Sequence, residues 1–309
     1  MSTQTCYNEN NDYNCCKIIH YTIYNNKGEY KVDITIDNLK PKKRSKLRLF
    51  LGKHYYTSRQ YLKWSFGKEK YAKQSDIILQ HVYAKHKTPL MRKLKDVDMY
   101  MQVNKTTNLK LACQRMNGVM LKPGETFSYW KMIGKPTAKK GYLEGMVLNS
   151  GTFRSGIGGG LCQLSNLIYW ITIHTPLTVV ERYRHSFDVF PDSNRTQPFG
   201  SGATCVYNYR DLVIRNDTNE TYQLCVWVDN TYLRGKWCCE NQPLYRYEVY
   251  EQEHKFVREY WGGYSRHNVL YRKKYNRYDE LVEDEYVAEN HALMMYIPFL
   301  EQPKEEMQI

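Results

Sequence analysis

The chain has 309 residues, 42% of them hydrophobic, and a formal net charge of +13. That apolar fraction builds a core and excludes a disordered chain. No apolar run approaches the roughly 20 residues needed to cross a membrane. The polar residues 1–14 carry no basic-then-apolar export signal, so the expected location is cytoplasmic. Nine cysteines are then expected as mostly free thiols, and an odd number argues against a complete disulfide framework.

In chain order, residues 1–40 form an N-terminal extension. Its runs 17–24 and 30–36 predict a β-hairpin around Asn25-Asn26-Lys27-Gly28. Residues 41–98 read as a basic helical region. Counted over 41–140, 24 Lys and Arg stand against 5 Asp and Glu. Such a block suits an anionic polymer or a membrane surface, or it is a solvated helical face. No base-stacking motif is present, so no specific nucleic acid is expected. Residues 99–240 form the core domain. Thr107-Asn108 predicts the start of a helix over 109–117 that stops at Gly118. A short aromatic strand holds Phe127, Tyr129 and Trp130. A glycine-rich stretch follows at 151–160, then a helix over 161–174. Strand-like runs lie at 178–182, 203–207, 211–215, 221–228 and 232–237. Residues 241–309 form a Tyr-rich, charged C-terminal extension, expected as short helices and a loose tail. The fold class is α+β: a basic helical N-terminal half, then a glycine-rich loop and a helix packed on an antiparallel β-sheet.

The chemistry-bearing stretch is Ser155-Gly-Ile-Gly-Gly-Gly-Leu-Cys162-Gln-Leu-Ser165-Asn166. A glycine-rich loop entering a helix places free amides and the positive dipole end at that point. Anion binding fits poorly, because the string lacks the GxxxxGK[ST] pattern. A cysteine with a depressed pKa fits better. Helical periodicity puts Leu161, Leu164, Leu167, Ile168 and Ile171 on one apolar stripe and Cys162, Asn166 and Tyr169 on another face. Cys162 is therefore either a nucleophile or a small hydrophobe packed on the sheet. His185 just beyond a strand is the candidate base. Asp188, Asp192 and Asn194 are candidate orienters. The amides of Gly158, Gly159 and Gly160 would form the oxyanion site. Arg195, in a polar loop, is either a carboxylate-binding fork or a solvated side chain. The vicinal pairs Cys15-Cys16 and Cys238-Cys239 lack CxxC spacing, so neither metal nor cofactor is expected.

Several motifs in order resemble the VanW family: Leu121-Lys-Pro-Gly-Glu-Thr-Phe-Ser-Tyr-Trp130, Gly156-Ile-Gly-Gly-Gly-Leu-Cys-Gln-Leu-Ser-Asn-Leu-Ile-Tyr-Trp170, the run 174–182, and His185-Ser186. The resemblance spans about 99–237, and more weakly 44–98. It adds Gln163, Ser165, Glu181 and Arg182 to the motif positions. It implies an association with vancomycin resistance and the cell envelope. The ligand it suggests is a small peptide or a peptidoglycan-related molecule. Two readings follow: a Cys-dependent hydrolase or peptidyl/acyl transferase, or a non-catalytic ligand-binding module.

Overall fold

The computed structural model describes residues 18–24, 30–36, 45–91, 98–149, 152–189, 197–207, 209–260 and 262–298. The chain divides into two units, Met1–Ser58 and Arg59–Ile309. In the first, β1 (Ile18–Tyr24) pairs antiparallel with β2 (Tyr30–Ile36), from Ile18↔Ile36 to Tyr24↔Tyr30. The expected turn at 25–28 lies outside the described residues. Helix α1 covers Lys46–Phe66.

The second unit continues with β3 (Lys70–Tyr71), β4 (Lys73–Gln74), β5 (His81–Pro89), α2 (Met99–Met116), β6 (Val119–Leu121), β7 (Glu125–Ser128) and α3 (Tyr129–Ile133). Next come the hairpin strands β8 (Glu144–Asn149) and β9 (Thr152–Ile157), then α4 (Cys162–Thr172), β10 (Thr178–Glu181) and β11 (Phe187–Asp188). The chain ends with β12 (Val213–Arg215), β13 (Tyr222–Val228), β14 (Tyr232–Cys239), β15 (Arg246–Arg258), β16 (Tyr264–Tyr275) and β17 (Leu281–Met294). They build three four- or five-stranded sheets: β10-β12-β7-β3, β4-β6-β13-β14-β5 and β11-β17-β16-β15. Among the described residues no helix is long and apolar enough to cross a membrane.

The α+β class holds, and helix α4 lies against β14 and β5 as the apolar stripe requires. Leu161, Leu164, Leu167, Ile168 and Ile171 are all buried. Gly235 on β14 lets Leu167 close in: a Cβ there would stand 3.1 Å from the Leu167 Cδ2. The buried Trp237 donates its indole N–H to Thr172 Oγ1 at 3.0 Å.

Three expectations are corrected. The helical reading of the basic stretch fails beyond residue 66. Residues 81–89 form a strand paired with β14 from Tyr232↔Pro89 to Cys239↔His81. Long-range pairing overrides the helix-compatible Lys and Ala residues, and Lys85 and Lys87 alternate outward. Helix α2 starts at Met99, well before the proposed cap, and its Asn108 is wholly buried. The C-terminal extension is neither helical nor a loose tail through residue 294. The acidic run that argued against packing lies opposite a basic run: Arg272↔Glu285, Lys273↔Asp284 and Lys274↔Glu283. Cross-strand pairs of opposite charge stabilise such a ladder, and Arg272 meets Glu285 at 2.5 Å.

Two buried titratable groups set the expected pH profile. Asp211 accepts from Ser128 Oγ and the amides of Trp130 and Leu212. Burial nevertheless raises its pKa to about 7, with Glu181 adding to the effect. His267 contacts Ser265 Oγ through Nε2 at 2.6 Å and His291 Nδ1 through its own Nδ1. Burial first, then His291 and Lys255, lowers it to about 4. A raised carboxyl pKa favours the folded state at low pH, and that advantage fades as pH rises from about 4 to 7. A lowered imidazole pKa makes stability fall as pH drops from about 6.5 to 4. Asp211→Asn should therefore gain stability relative to the native chain as pH rises through 4–7. His267→Gln should flatten the acid limb. Denaturant titrations at several pH values measure both slopes.

Candidate functional site

The glycine-rich loop is held from below by a residue absent from the motif. Asn108 of α2 donates to Leu143 O and Gly159 O, each at 3.0 Å, and accepts from the Leu143 amide at 2.8 Å. Gly158 and Gly160 adopt φ of 77° and 88°, which disfavours other residues. Gly159 lies against Gly145: a Cβ there would fall 2.1 Å from the Gly145 carbonyl carbon. The loop amides are already engaged. Gly158 N donates to Leu143 O, Gly159 N to Gly156 O and Gly160 N to Met146 O, each at 3.0 Å. The three amides expected to form an oxyanion site thus each donate to a backbone carbonyl of the β8–β9 region in this structure.

Cys162 begins α4 and is half-buried. Its Sγ–H points at Cys205 O at 3.9 Å. Burial pushes the thiol up from its ordinary value, while the backbone hydrogen bonds pull the other way and lose. This is the reverse of the activated thiolate that a helix N-terminus can create. Removal from water outweighs the dipole here.

The same helix face grips residues 200–205 at several points. Ser165 Oγ donates to Ala203 O at 2.8 Å, and the Ala203 amide donates to Asn166 Oδ1 at 2.9 Å. Arg182, just past β10, donates from Nε to Gly202 O at 2.9 Å and from one terminal nitrogen to Gly200 O and Asn290 Oδ1. Its guanidinium lies 4.8 Å from the Tyr169 ring centroid. Gly202 is required here: a Cβ would stand 2.5 Å from Asn166 Oδ1. The run 203–207, expected as a strand, is instead this strap, with one isolated bridge, Val206↔Arg210.

The other motif positions separate. His185 Nε2 stands 3.5 Å from Asn166 Oδ1, so it shares a neighbour with Cys162 one helical turn away. Asp188, an expected orienter, has two partners in the C-terminal sheet region. Its Oδ2 meets Arg266 at 3.2 Å and accepts from Tyr296 at 2.8 Å, with Asp188 and Arg266 both buried. β11 pairs in parallel with β17, and that pairing places Asp188 in the third sheet. Gln163 donates to Thr88 Oγ1 and Pro89 O at 2.9 Å, tying α4 to the end of β5. Glu181 accepts from the Asp211 amide at 3.4 Å and pairs with Lys63 at 3.7 Å. Arg195, Asp192 and Asn194 lie outside the described residues. Sequence reasoning missed Asn108 and Asn290, because each acts through contacts far along the chain.

At the other end of α4 lies a cleft of about 480 Å³. It is lined by Trp170 of the helix, His174 just beyond its end, Tyr83 and Tyr247, and by the charged Lys85, Arg246, Arg277 and Asp279. Arg246 is braced by Asp279 at 3.0 Å, and Arg277 donates to Gln242 O at 3.3 Å. His174 Nδ1 contacts Trp170 O at 2.8 Å, and burial lowers its pKa. An aromatic lining with a few fixed polar groups suits a small ligand, and the excess of cationic side chains suits an anionic one.

Residues 104–238 match the family described as VanW like protein. The chain is 39% identical over 168 residues to the Vancomycin B-type resistance protein VanW of Enterococcus faecalis, across 54% of this chain and 61% of that protein. It is 28% identical over 117 residues to the uncharacterized protein YoaR of Bacillus subtilis, across 38% of this chain and 37% of that one. The chain therefore spans less than two thirds of either relative. No solved structure matches.

The clasp around 200–205 predicts a stability phenotype. Arg182→Ala leaves two carbonyls and the Asn290 amide oxygen without their donor, at a cost of about 3 kcal/mol. Arg182→Lys should recover less than half, since an ammonium cannot reproduce the fork. Urea unfolding midpoints of the three proteins decide it.

Proposed function

We propose that this chain, which carries a VanW-family domain at residues 104–238, is a non-catalytic ligand-binding module. Its ligand is a peptide or peptidoglycan-related molecule, and its role lies in glycopeptide resistance and the cell envelope. The association with resistance comes from the name of the enterococcal relative. One observation carries the binding reading. The glycine amides and the Cys162 thiol, which a hydrolase would need free, are hydrogen-bonded within the protein, and burial raises the thiol's pKa. The motif then acts as a clasp that fixes α4 and the strap. The far end of α4 presents Trp170 to the cleft, with His174 just past the helix.

A muramyl peptide matches that cleft in chemistry. Its carboxylates would meet Lys85, Arg246 and Arg277, and its sugar or methyl groups would lie on Trp170. Isothermal titration of the full chain with N-acetylmuramyl pentapeptide tests this. Saturable binding is expected, weakened about tenfold by Trp170→Ala, a loss of about 1.4 kcal/mol. Cys162→Ser should bind as the native chain does. If the native chain cleaves or transfers the peptide and Cys162→Ser abolishes this, the cysteine-dependent hydrolase or transferase replaces the binding module. Absence of saturable binding overturns the ligand assignment.

A further inference from the structure

Cys225 and Cys238 play no part in the clasp or the cleft. They occupy neighbouring strands of one hairpin, in the register Gln223↔Cys238 and Cys225↔Lys236. Side chains alternate along a strand, so Gln223 and Cys225 share a face with Lys236 and Cys238. The opposite face carries Leu224, Val226, Gly235 and Trp237, with Gly235 and Trp237 packed against α4. On the face they share with Gln223 and Lys236, the two thiols stand on a cross-strand diagonal, and each shifts the pKa of the other. Both are free, Cys225 half-exposed and Cys238 fully buried. Their neighbour Cys239 points away, with its Sγ against His81 O and Asn241 O.

We propose that Cys225 and Cys238 form an oxidative modification site that closes to a cross-strand disulfide by exchange with a small-molecule disulfide such as oxidised glutathione. The two positions share a face of adjacent strands one diagonal step apart, so closure needs side-chain rotation and a shift of the two strands toward each other. Cys225, together with Lys236, lowers the pKa of Cys238, while Cys238 and burial raise that of Cys225. The pair therefore sheds its first proton as a unit, and the remaining proton is shared between the sulfurs. Cys225, the accessible thiol, passes its proton to the Cys238 thiolate as its sulfur attacks a glutathione sulfur. A Cys225–glutathione disulfide forms and one glutathione thiolate leaves. The Cys238 thiolate then attacks the Cys225 sulfur, forms the internal S–S bond and expels the second glutathione thiolate. The two protein protons end on the two glutathione thiols, and the oxidant is reduced by two electrons.

The sequence makes the test specific. Trypsin places Cys225 in peptide 216–234, and Cys238 with Cys239 in peptide 237–246. The full chain is incubated with oxidised glutathione, denatured, alkylated with iodoacetamide, and its mass and tryptic peptides are read. The expected result is the loss of two alkylatable thiols, a mass lower by two hydrogens at that pair, and a linked 216–234/237–246 species. The link persists in Cys239→Ser and disappears in Cys238→Ser. Three outcomes overturn the proposal: both thiols still fully alkylated, a stable glutathione adduct on Cys225 with Cys238 free, or a link that survives Cys238→Ser. Cys113, buried in the α2 core, is the unreactive internal control.

Discussion

A segment laid across a helix buries its carbonyls, and each buried carbonyl needs a donor. Residues 200–205 are such a segment, and three motif residues supply those donors. Ser165 serves Ala203, Cys162 serves Cys205, and Arg182 serves Gly200 and Gly202. The arrangement continues outward. Arg182 also holds Asn290, Asn290 donates to Asn268, and Asn268 donates to Phe199 O. One guanidinium thereby couples α4 and the strap to the third sheet, whose strands β15, β16 and β17 lie beyond residues 104–238. A lysine cannot do this, because only a rigid fork reaches three acceptors on two sides.

Glycine has a related but distinct role. Gly159 and Gly202 are needed because a backbone or an amide comes too close for any Cβ, whereas Gly158 and Gly160 are needed for their positive φ. A glycine-rich loop before a helix suggests free amides awaiting an anion. In this chain the glycines let β8–β9 fold back on the loop and take those amides. The same local sequence supports either outcome, and the deciding contact, Asn108 to Gly159 O, comes from a residue 51 positions away.

That distance explains what could be read beforehand. Helix α4 was legible in its apolar period, because its stripe buries against a sheet and periodicity reports burial directly. The hairpins β1–β2 and β13–β14 were legible in their turn residues and β-branched runs. Strand β5 was not, since its alternation is masked by lysines that alternate outward. The third sheet was hidden because an acidic run seen alone reads as repulsive. Only the register places Glu283, Asp284 and Glu285 opposite Lys274, Lys273 and Arg272. Residue types at the site were legible, but their partners were not. Asp188 reads in sequence as a neighbour of His185, and only the two-residue parallel pairing with β17 reveals its ion pair with Arg266.

The thiol at the mouth of α4 shows how competing terms decide chemistry. A helix N-terminus favours a thiolate by about 1 kcal/mol or less where water screens it, while burial without a cation favours the neutral thiol more strongly. Burial is the largest influence on the Cys162 pKa, and the backbone hydrogen bonds that oppose it do not offset it. Cys225 and Cys238 differ on the one point that matters. Each sulfur has a partner that can take or give a proton, and Lys236 stands beside them. A cysteine at a motif position is thus held as the neutral thiol by burial, while a pair that no motif marks stands on one cross-strand diagonal beside a lysine.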